Sequence, residues 1–444
     1  MAKDLTKGNE GKLILQFAIP MLLGNVFQQL YNVIDSVIVG KFLGKEALAA
    51  VGASFPIIFM LISLVVGITM GSTVIISQCY GAKNYERIRL AISTMYLFMF
   101  FASIVVASVG IGFAPDIFRL MQLPQEILPQ ATTFLRIYFL GLPAFFGYNA
   151  VSAFLRGLGD SKTPLYFLII STLVNIILDL LFIAVFHWGI AGAAIATIIS
   201  QAGAFISAVW WLNRTSRLMH ISLNQLKFDK KIFIQSIQIG LPTGLQQTIV
   251  AIGMMALMGI VNGFGTSVIA AYTVVGRIES LATLPAMNFS MAISTFVGQN
   301  LGAGRLDRVK TGLRATLKLS ILFSLIISTF VVVFGSFIMT MFTSDAEVIR
   351  TGHEYLIITG CFYVLFSTMF TFTGLFRGAG DTLVPMFFTL FSLWLVRIPL
   401  AYLFSTIWGT HGIWWAIPIG WLSGVVLAIS YYKSGRWKRK IVGV

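Results

Sequence analysis

The chain repeats itself at half its length. Leu155-Arg156-Gly157-Leu158-Gly159-Asp160-Ser161-Lys162-Thr163-Pro164 returns as Phe376-Arg377-Gly378-Ala379-Gly380-Asp381-Thr382-Leu383-Val384-Pro385, with the two arginines 221 residues apart in a chain of 444. Gln78-x-x-Gly81-Ala82-x-x-x-x-Arg87 returns at the same offset as Gln299-x-x-Gly302-Ala303-x-x-x-x-Arg308. Trp188-Gly189-x-x-Gly192 returns one residue out of step as Trp408-Gly409-x-x-Gly412. A repeat this long is a tandem duplication, and any fold proposed for one half must serve for the other.

Each half is built of apolar runs. The chain is 57% hydrophobic and 11% charged, with a mean hydropathy of +0.88; soluble domains carry about 25% charged residues. Twelve stretches are long enough to cross about 30 Å of hydrocarbon as helices. They centre on residues 13–40, 47–72, 90–113, 131–154, 164–186, 190–212, 232–260, 267–295, 315–341, 354–376, 384–407 and 412–432. Strand alternation is absent, which excludes a β-barrel. The expected fold is an all-α polytopic membrane protein of 12 transmembrane helices. Six helices per half return the chain to its starting side, so the six-helix bundles are parallel repeats about a pseudo-two-fold axis along the membrane normal. The expected domains are an N-terminal lobe over 1–212, a polar linker over 213–231, and a C-terminal lobe over 232–444 that ends in a basic tail. Two bundles so related enclose a cavity, and rocking one against the other gives alternating access.

The net charge of +15 follows from orientation. With both termini cytoplasmic, 24 of the 31 Lys and Arg fall on the cytoplasmic side and four on the other, namely Lys41, Lys45, Arg119 and Arg350. Arg136, Arg277 and Arg397 lie in or near the membrane. This is the positive-inside asymmetry, and it removes the case for nucleic-acid binding. Cys79 and Cys361 are too few for a disulfide framework and read as small apolar fillers. The first apolar run is too long for a cleavable signal and lacks a cleavage pattern.

Acids deep in apolar segments are costly and mark ion or proton paths. Three stand out: Asp35 in the first segment, Asp179 in the fifth and Glu279 in the eighth. Asn25, Gln28, Asn32 and Asp35 follow spacings of 3, 4 and 3, which makes one polar stripe on a helix. Asn175 and Asp179 are i and i+4, with Ser171 on the same line. Thr197 and Gln201 repeat that spacing in the sixth segment. Lipid rejects such faces, so they are expected to converge inside the first half. Two carboxyls in one low-dielectric recess cannot both ionise easily. Such a pair holds a proton, or a small cation among carboxylate, amide and hydroxyl oxygens; the alternative is a neutral helix-packing cluster. At the repeat offset Asp35 maps to Ala256, Asn175 to Val396 and Asp179 to Leu400, so the second half does not carry the same site.

Pro20 precedes Asp35 by fifteen residues, ~22 Å along a helix. A proline there removes a backbone bond and invites a kink, either static or responsive to charge at Asp35. The decapeptide repeats read as cytoplasmic turns. Arg156 and Arg377 meet helix C-termini, Asp160 and Asp381 cap the next helix, and Pro164 and Pro385 sit in its opening turn. Glu279 is a further cavity acid. Arg397, two residues before Pro399, is left either to pair with a carboxylate or to snorkel.

These residues resemble the multidrug and toxin extrusion (MATE) family of secondary transporters, over about 10–432. The likeness rests on the two six-helix halves, Pro20 with Tyr31-Asn32-x-x-Asp35, the Gln-x-x-Gly-Ala and Arg-Gly-x-Gly-Asp turns, and Asn175-x-x-x-Asp179 followed by Thr197. The resemblance implies antiport: export of amphipathic, often cationic organic compounds driven by inward H+ or Na+ flow. It implies no cofactor beyond the coupling ion, a monomer, small organic substrates, and a prokaryotic inner-membrane location. Within the DNA-damage-inducible-F-like branch, the matching coupling positions are Asp35, Asn175, Asp179 and Thr197, which are also the positions a Na+ would take. Asn149 or Ser152 match more loosely as accessory residues. Another bacterial branch places acids on segments 7 and 10; here segment 7 offers Gln246 and Gln247, and no acid lies between Leu356 and Phe376. A lipid-linked oligosaccharide flippase of the same superfamily is the nearest alternative. An enzyme is not expected: His187, His220, His353 and His411 are scattered near segment ends, and no His-Glu-x-x-His or Gly-x-Ser-x-Gly motif occurs.

Overall fold

In the computed structural model, residues 3–215 and 226–439 are described; ten residues of the expected 213–231 linker and the last five of the basic tail lie outside them. Among the described residues there are helices and no strands. The helices are α1 (Glu10–Leu43), α2 (Lys45–Gly81), α3 (Tyr85–Leu120), α4 (Leu128–Leu140), α5 (Leu142–Gly157), α6 (Lys162–Asp179), α7 (Gly189–Thr215) and α8 (Lys230–Asn262). The chain continues with α9 (Thr266–Ala282), α10 (Leu284–Gly302), α11 (Leu306–Thr340), α12 (Ala346–Gly360), α13 (Tyr363–Gly378), α14 (Leu383–Leu390), α15 (Ile398–Trp408) and α16 (Thr410–Ser434). Among the described residues, ten continuous spans and two bent pairs are long and apolar enough for up to twelve crossings, six in each half.

The bent pairs occupy equivalent places in the two halves. α4 meets α5 at 51°, and α12 meets α13 at 50°. From sequence each reads as one straight segment. In the first pair, Gly141 and Pro143 break the ladder, because proline at the start of α5 has no N–H to offer α4. In the second pair the break falls at Cys361-Phe362, and Cys361 is exposed there rather than packed as a filler. The fifth span of each half also carries a π-helical stretch, Leu180–Val185 after Asp179 and Phe391–Arg397 between α14 and α15. Such stretches recur at functional sites.

The chain divides into two compact units, one holding Leu23–Gln238 and the other Asp4–Leu22 with Ile239–Val444. The dividing points therefore fall inside α1, two residues past Pro20, and inside α8, rather than in the linker between the halves. Each unit receives the opening stretch of the other half's first helix, and the repeated Gln-x-x-Gly-Ala-x-x-x-x-Arg turns hold these stretches. In the second unit, Leu5 N–H donates to Gln299 Oε1 at 2.9 Å and Asn300 Nδ2 donates to the Leu5 carbonyl at 3.2 Å. Arg308 donates to the Gly8 carbonyl at 2.8 Å and pairs with Glu10 at 3.0 Å. Leu5 itself is buried against Phe17, Phe289 and Phe296. In the first unit, Arg87 donates to Gln235 Oε1 at 3.1 Å, and Asp229 N–H donates to Thr94 Oγ1 at 3.0 Å.

The Arg-Gly-x-Gly-Asp turns are explained residue by residue. Gly159 and Gly380 have φ of +83° and +92°, the left-handed region that a side chain disfavours. Asp160 Oδ1 accepts from the Lys162 and Thr163 N–H groups at 3.1 and 3.0 Å, capping α6 as expected. Asp381 instead accepts from the Tyr431 hydroxyl. Gly157 and Gly378 let helices approach closely. A Cβ on Gly378 would overlap the Ser294 carbonyl oxygen, whereas one on Gly157 would stand 3.0 Å from that of Thr73. Gly378→Ala is therefore expected to cost about 1–3 kcal/mol, the range for overpacking a close contact, and Gly157→Ala clearly less. Thermal unfolding of the two purified variants checks the order; equal losses would contradict it.

Candidate functional site

In the first unit, α1, α4, α6 and α7 bring polar side chains to the two membrane-embedded acids. Asn175 and Asp179 lie one turn apart on α6, and both are buried. With the Asn175 amide nitrogen turned toward Asp179, it donates to Asp179 Oδ2 at 2.8 Å, while its oxygen accepts from the Thr197 N–H at 3.2 Å. Asp179 is the last α-helical residue before the π-helical stretch, so its carboxyl sits where the backbone ladder changes step.

Asp35 comes to the same place from α1. Its carboxyl faces that of Asp179 within direct charge-interaction range. One turn earlier, the Tyr31 hydroxyl stands 3.5 Å from Thr197 Oγ1. The Thr197 hydroxyl already donates to the Ala193 carbonyl at 3.0 Å, which leaves its lone pair to receive the Tyr31 proton. Tyr31 also lies within charge range of both Asp35 and Asp179. Behind it, the Tyr138 hydroxyl of α4 bonds the Gln201 side chain. Asp35, Asn175, Asp179 and Thr197 are therefore neighbours, with Gln201 beside them through Tyr138.

The accessory residues are spread more widely. Asn25 and Gln28 are half-buried on the stripe leading to Asp35, and Asn32 is exposed. Asn149 turns its amide back to the Phe145 carbonyl of its own helix at 2.9 Å. Ser152 is buried beside Tyr148. Ser171 donates to the Ser200 carbonyl at 2.9 Å, tying α6 to α7 near the acids. Pro20 is buried within α1. Glu279 belongs to the other unit. Sequence reasoning passes over Tyr138 and gives Tyr31 no role. Tyrosine in a membrane span has many ordinary places, and nothing in spacing separates these two from the rest.

One oxygen of each acid, Asp35 Oδ1 and Asp179 Oδ1, is buried with no hydrogen-bond partner among the described residues. Buried carboxylate oxygens left bare are expensive. A proton shared by the pair, or a cation between them, removes that cost. For a Na+ the available oxygens are few: the Asn175 oxygen is engaged by the Thr197 N–H, its nitrogen faces Asp179, and Thr197 Oγ1 faces Tyr31. A cation cage calls for several free oxygens, whereas a shared proton needs only the two bare ones. Among the described residues no group of three or more His, Cys, Asp or Glu is placed to hold a metal ion.

Removing charge without changing shape separates these effects. Asp179→Asn is expected to retain or raise thermal stability, because it ends the repulsion with Asp35. Asp179→Leu is expected to lose about 1–3 kcal/mol by orphaning the Asn175 amide. Unfolding of the detergent-solubilised variants gives the comparison, and a larger loss for the Asn variant would contradict this account of the pair.

The chain matches the MatE family model twice, over residues 20–181 and 242–403, one match in each half. It is 34% identical over 433 residues to Probable multidrug resistance protein YoeA of Bacillus subtilis, covering 96% of this chain and 93% of that one. It is 35% identical over 438 residues to Probable multidrug resistance protein YpnP of the same organism, covering 98% of each. Among solved structures, it resembles one described as an outward-facing conformation of a multidrug resistance MATE family transporter of the MOP superfamily. The TM-score is 0.90 at 25% identity, covering 99% of this chain and 98% of that one.

Proposed function

From the premise that this chain belongs to the MatE family of multidrug transporters, we propose that it is a secondary active antiporter. In this reading it exports amphipathic organic compounds in exchange for protons, with Asp35 and Asp179 as the coupling pair. The supporting observation is the meeting of two acids from different helices, each with one bare buried oxygen, beside an Asn175 amide whose oxygen and nitrogen are both engaged. That arrangement favours H+ over Na+ as the coupling ion. Asn175 and Thr197 are positioning residues: one orients the Asp179 carboxyl, the other receives Tyr31.

Coupling follows from charge. With both acids ionised, repulsion in low dielectric drives α1 from α6; one proton between them draws the helices together. α1 belongs to the second unit up to Leu22 and to the first from Leu23. A shift at Asp35 is thus passed along one helix past Pro20, where the missing backbone bond lowers the resistance to bending. The binding and release of a proton on opposite faces of the membrane then alternates the two arrangements. The proposal carries with it the inner-membrane location with both termini in the cytoplasm, a functional monomer, and no cofactor. A lipid-linked oligosaccharide flippase draws no support from the relatives, which are named for multidrug resistance.

In proteoliposomes with an imposed ΔpH, wild-type protein is expected to move a fluorescent cationic dye against its gradient. Asp35→Asn is expected to abolish this while still inserting. Asp179→Asn is expected to flatten the pH dependence. Dye accumulation at the wild-type rate by Asp35→Asn would overturn the assignment, and a response to a Na+ gradient alone would replace H+ by Na+.

A further inference from the structure

The exposed face of α11 changes character once along its length. Lys310, Arg314 and Lys318 follow one another at four-residue spacing, and Leu322, Ile326 and Phe330 continue the same line. A four-residue step turns a helix by only about 40°, so the six form one stripe. All six are exposed, whereas Val309, Leu313, Thr316, Ser320 and Ser324 on the opposite side are buried. From Leu319 to Thr340 the helix carries no charged residue. That stretch is ~33 Å long, enough to cross the hydrocarbon layer. Lys318 and Arg314 then stand ~2 and ~8 Å above its edge, in the headgroup layer, with Lys310 one turn farther out.

The C-terminal turn packs at the same end of the helix. Trp437 is buried in one core cluster with Val309 and Leu313 of α11. Its N–H donates to the Tyr432 carbonyl at 3.1 Å, and its ring lies 5.7 Å from the Tyr432 ring. Tyr432 is within charge range of Arg314, so the turn and the stripe are neighbours. Arg436 and Lys438, both exposed, flank Trp437. Among the described residues none of these five cations has an ion-pair partner. The acids of this end are engaged or set apart. Glu10 pairs with Arg308 at 3.0 Å, Asp381 accepts from the Tyr431 hydroxyl, and Asp307 lies a turn before Lys310.

Orientation in the membrane would charge the two halves alike, and it does not account for this stripe. At the 221 offset Arg314 maps to Ser93 and Lys318 to Leu97; only Lys310 keeps a cation, Arg89. Ser93 is used instead to accept from the Lys227 N–H. A partner for the α11 face must offer negative charge at one height and a long apolar body below it. Nucleic acid and soluble anions supply the first and lack the second. A phospholipid has both, and its phosphate oxygens match the guanidinium fork.

We propose that this face of α11 is a binding site for an anionic phospholipid, with the phosphate on Arg314 and Lys318 and the acyl chains along Leu322, Ile326 and Phe330. Lys310, Arg436 and Lys438 supply the surrounding positive field, worth about 1 kcal/mol per cation near an anionic surface. That the lipid comes from the inner leaflet rests on the reading that places both termini in the cytoplasm. The binding itself does not depend on the antiport reading.

The test is native mass spectrometry of the purified full-length protein in a neutral detergent, titrated with phosphatidylglycerol or phosphatidylcholine of identical acyl chains. Wild type is expected to bind its first phosphatidylglycerol about tenfold more tightly than its first phosphatidylcholine, as one charge-assisted contact implies. The Arg314→Gln, Lys318→Gln double variant is expected to lose this preference, and Arg314→Lys, Lys318→Arg to keep most of it. Lys230→Gln, Lys231→Gln removes the same charge from two exposed positions at the start of α8 and is expected to keep it. Equal binding of the two lipids by wild type would overturn the proposal, as would a preference that survives in Arg314→Gln, Lys318→Gln. An equal loss in Lys230→Gln, Lys231→Gln would reduce the effect to net charge and overturn it too. So would displacement of phosphatidylglycerol by an equal concentration of inorganic phosphate, which would assign the cations to a free anion. No ion gradient is present, so failure of ΔpH-driven export with the lipid preference intact would count against the antiporter reading alone.

Discussion

Two carboxyl groups facing each other inside a membrane bundle cannot both stay charged and dry. Most of what distinguishes the first half of this molecule follows from that constraint. The acids come from α1 and α6, and each needs partners that lipid cannot supply. Asn175 gives its amide to Asp179, Tyr31 binds Thr197, and Ser171 ties α6 to α7. Asp35 Oδ1 and Asp179 Oδ1 stay buried without a partner among the described residues. A site with two facing bare oxygens is poised to change state by one proton, whereas a fully satisfied polar cluster would only hold helices together.

The duplicated scaffold carries this site once. Both halves share the Arg-Gly-x-Gly-Asp turn, the bent fourth span, the π-helical stretch in the fifth span, and the Gln-x-x-Gly-Ala-x-x-x-x-Arg turn that clasps an incoming stretch of chain. These are solutions to problems every six-helix half has: turning the chain, packing helices closely, and satisfying backbone groups at the helix ends. Charge within the membrane follows a different rule. The first half keeps Asp35 and Asp179, while the second substitutes Ala256 and Leu400 and places Glu279 and Arg397 at unrelated positions. Duplication preserved the frame, and each half acquired its own electrostatics.

Much of the frame is legible in the sequence because hydrophobic length and repeat offset are local signals. The stripe ending at Asp35 and the i, i+4 pair Asn175 and Asp179 are legible for the same reason, since lipid allows such faces only one direction. Other features leave no pattern. The contacts of Leu5 with Gln299 and Asn300 run through backbone groups across nearly 300 residues, so the exchange of opening stretches between units is invisible until the chain is folded. The Asp381 carboxylate goes to Tyr431 rather than to its own helix, although its repeat partner Asp160 caps as the motif implies. The Cys361 bend has no proline to announce it, unlike Pro143. Arg397 offers two equal readings in the sequence, pairing or snorkelling; in the fold it is buried beside Gly420 of α16, with Glu279 within charge range.

The central claim is that the Asp35–Asp179 pair holds a proton that substrate or conformational change releases. The direct measurement is proton release from purified protein in weakly buffered detergent solution, followed with a pH indicator as a saturating cationic substrate is added. The account predicts release from wild-type protein and none from the Asp35→Asn, Asp179→Asn double variant under conditions where both still bind the substrate. Equal release from the two, or binding by wild type with no proton released at any pH between 5 and 9 (roughly the span over which a buried carboxyl titrates), would contradict it.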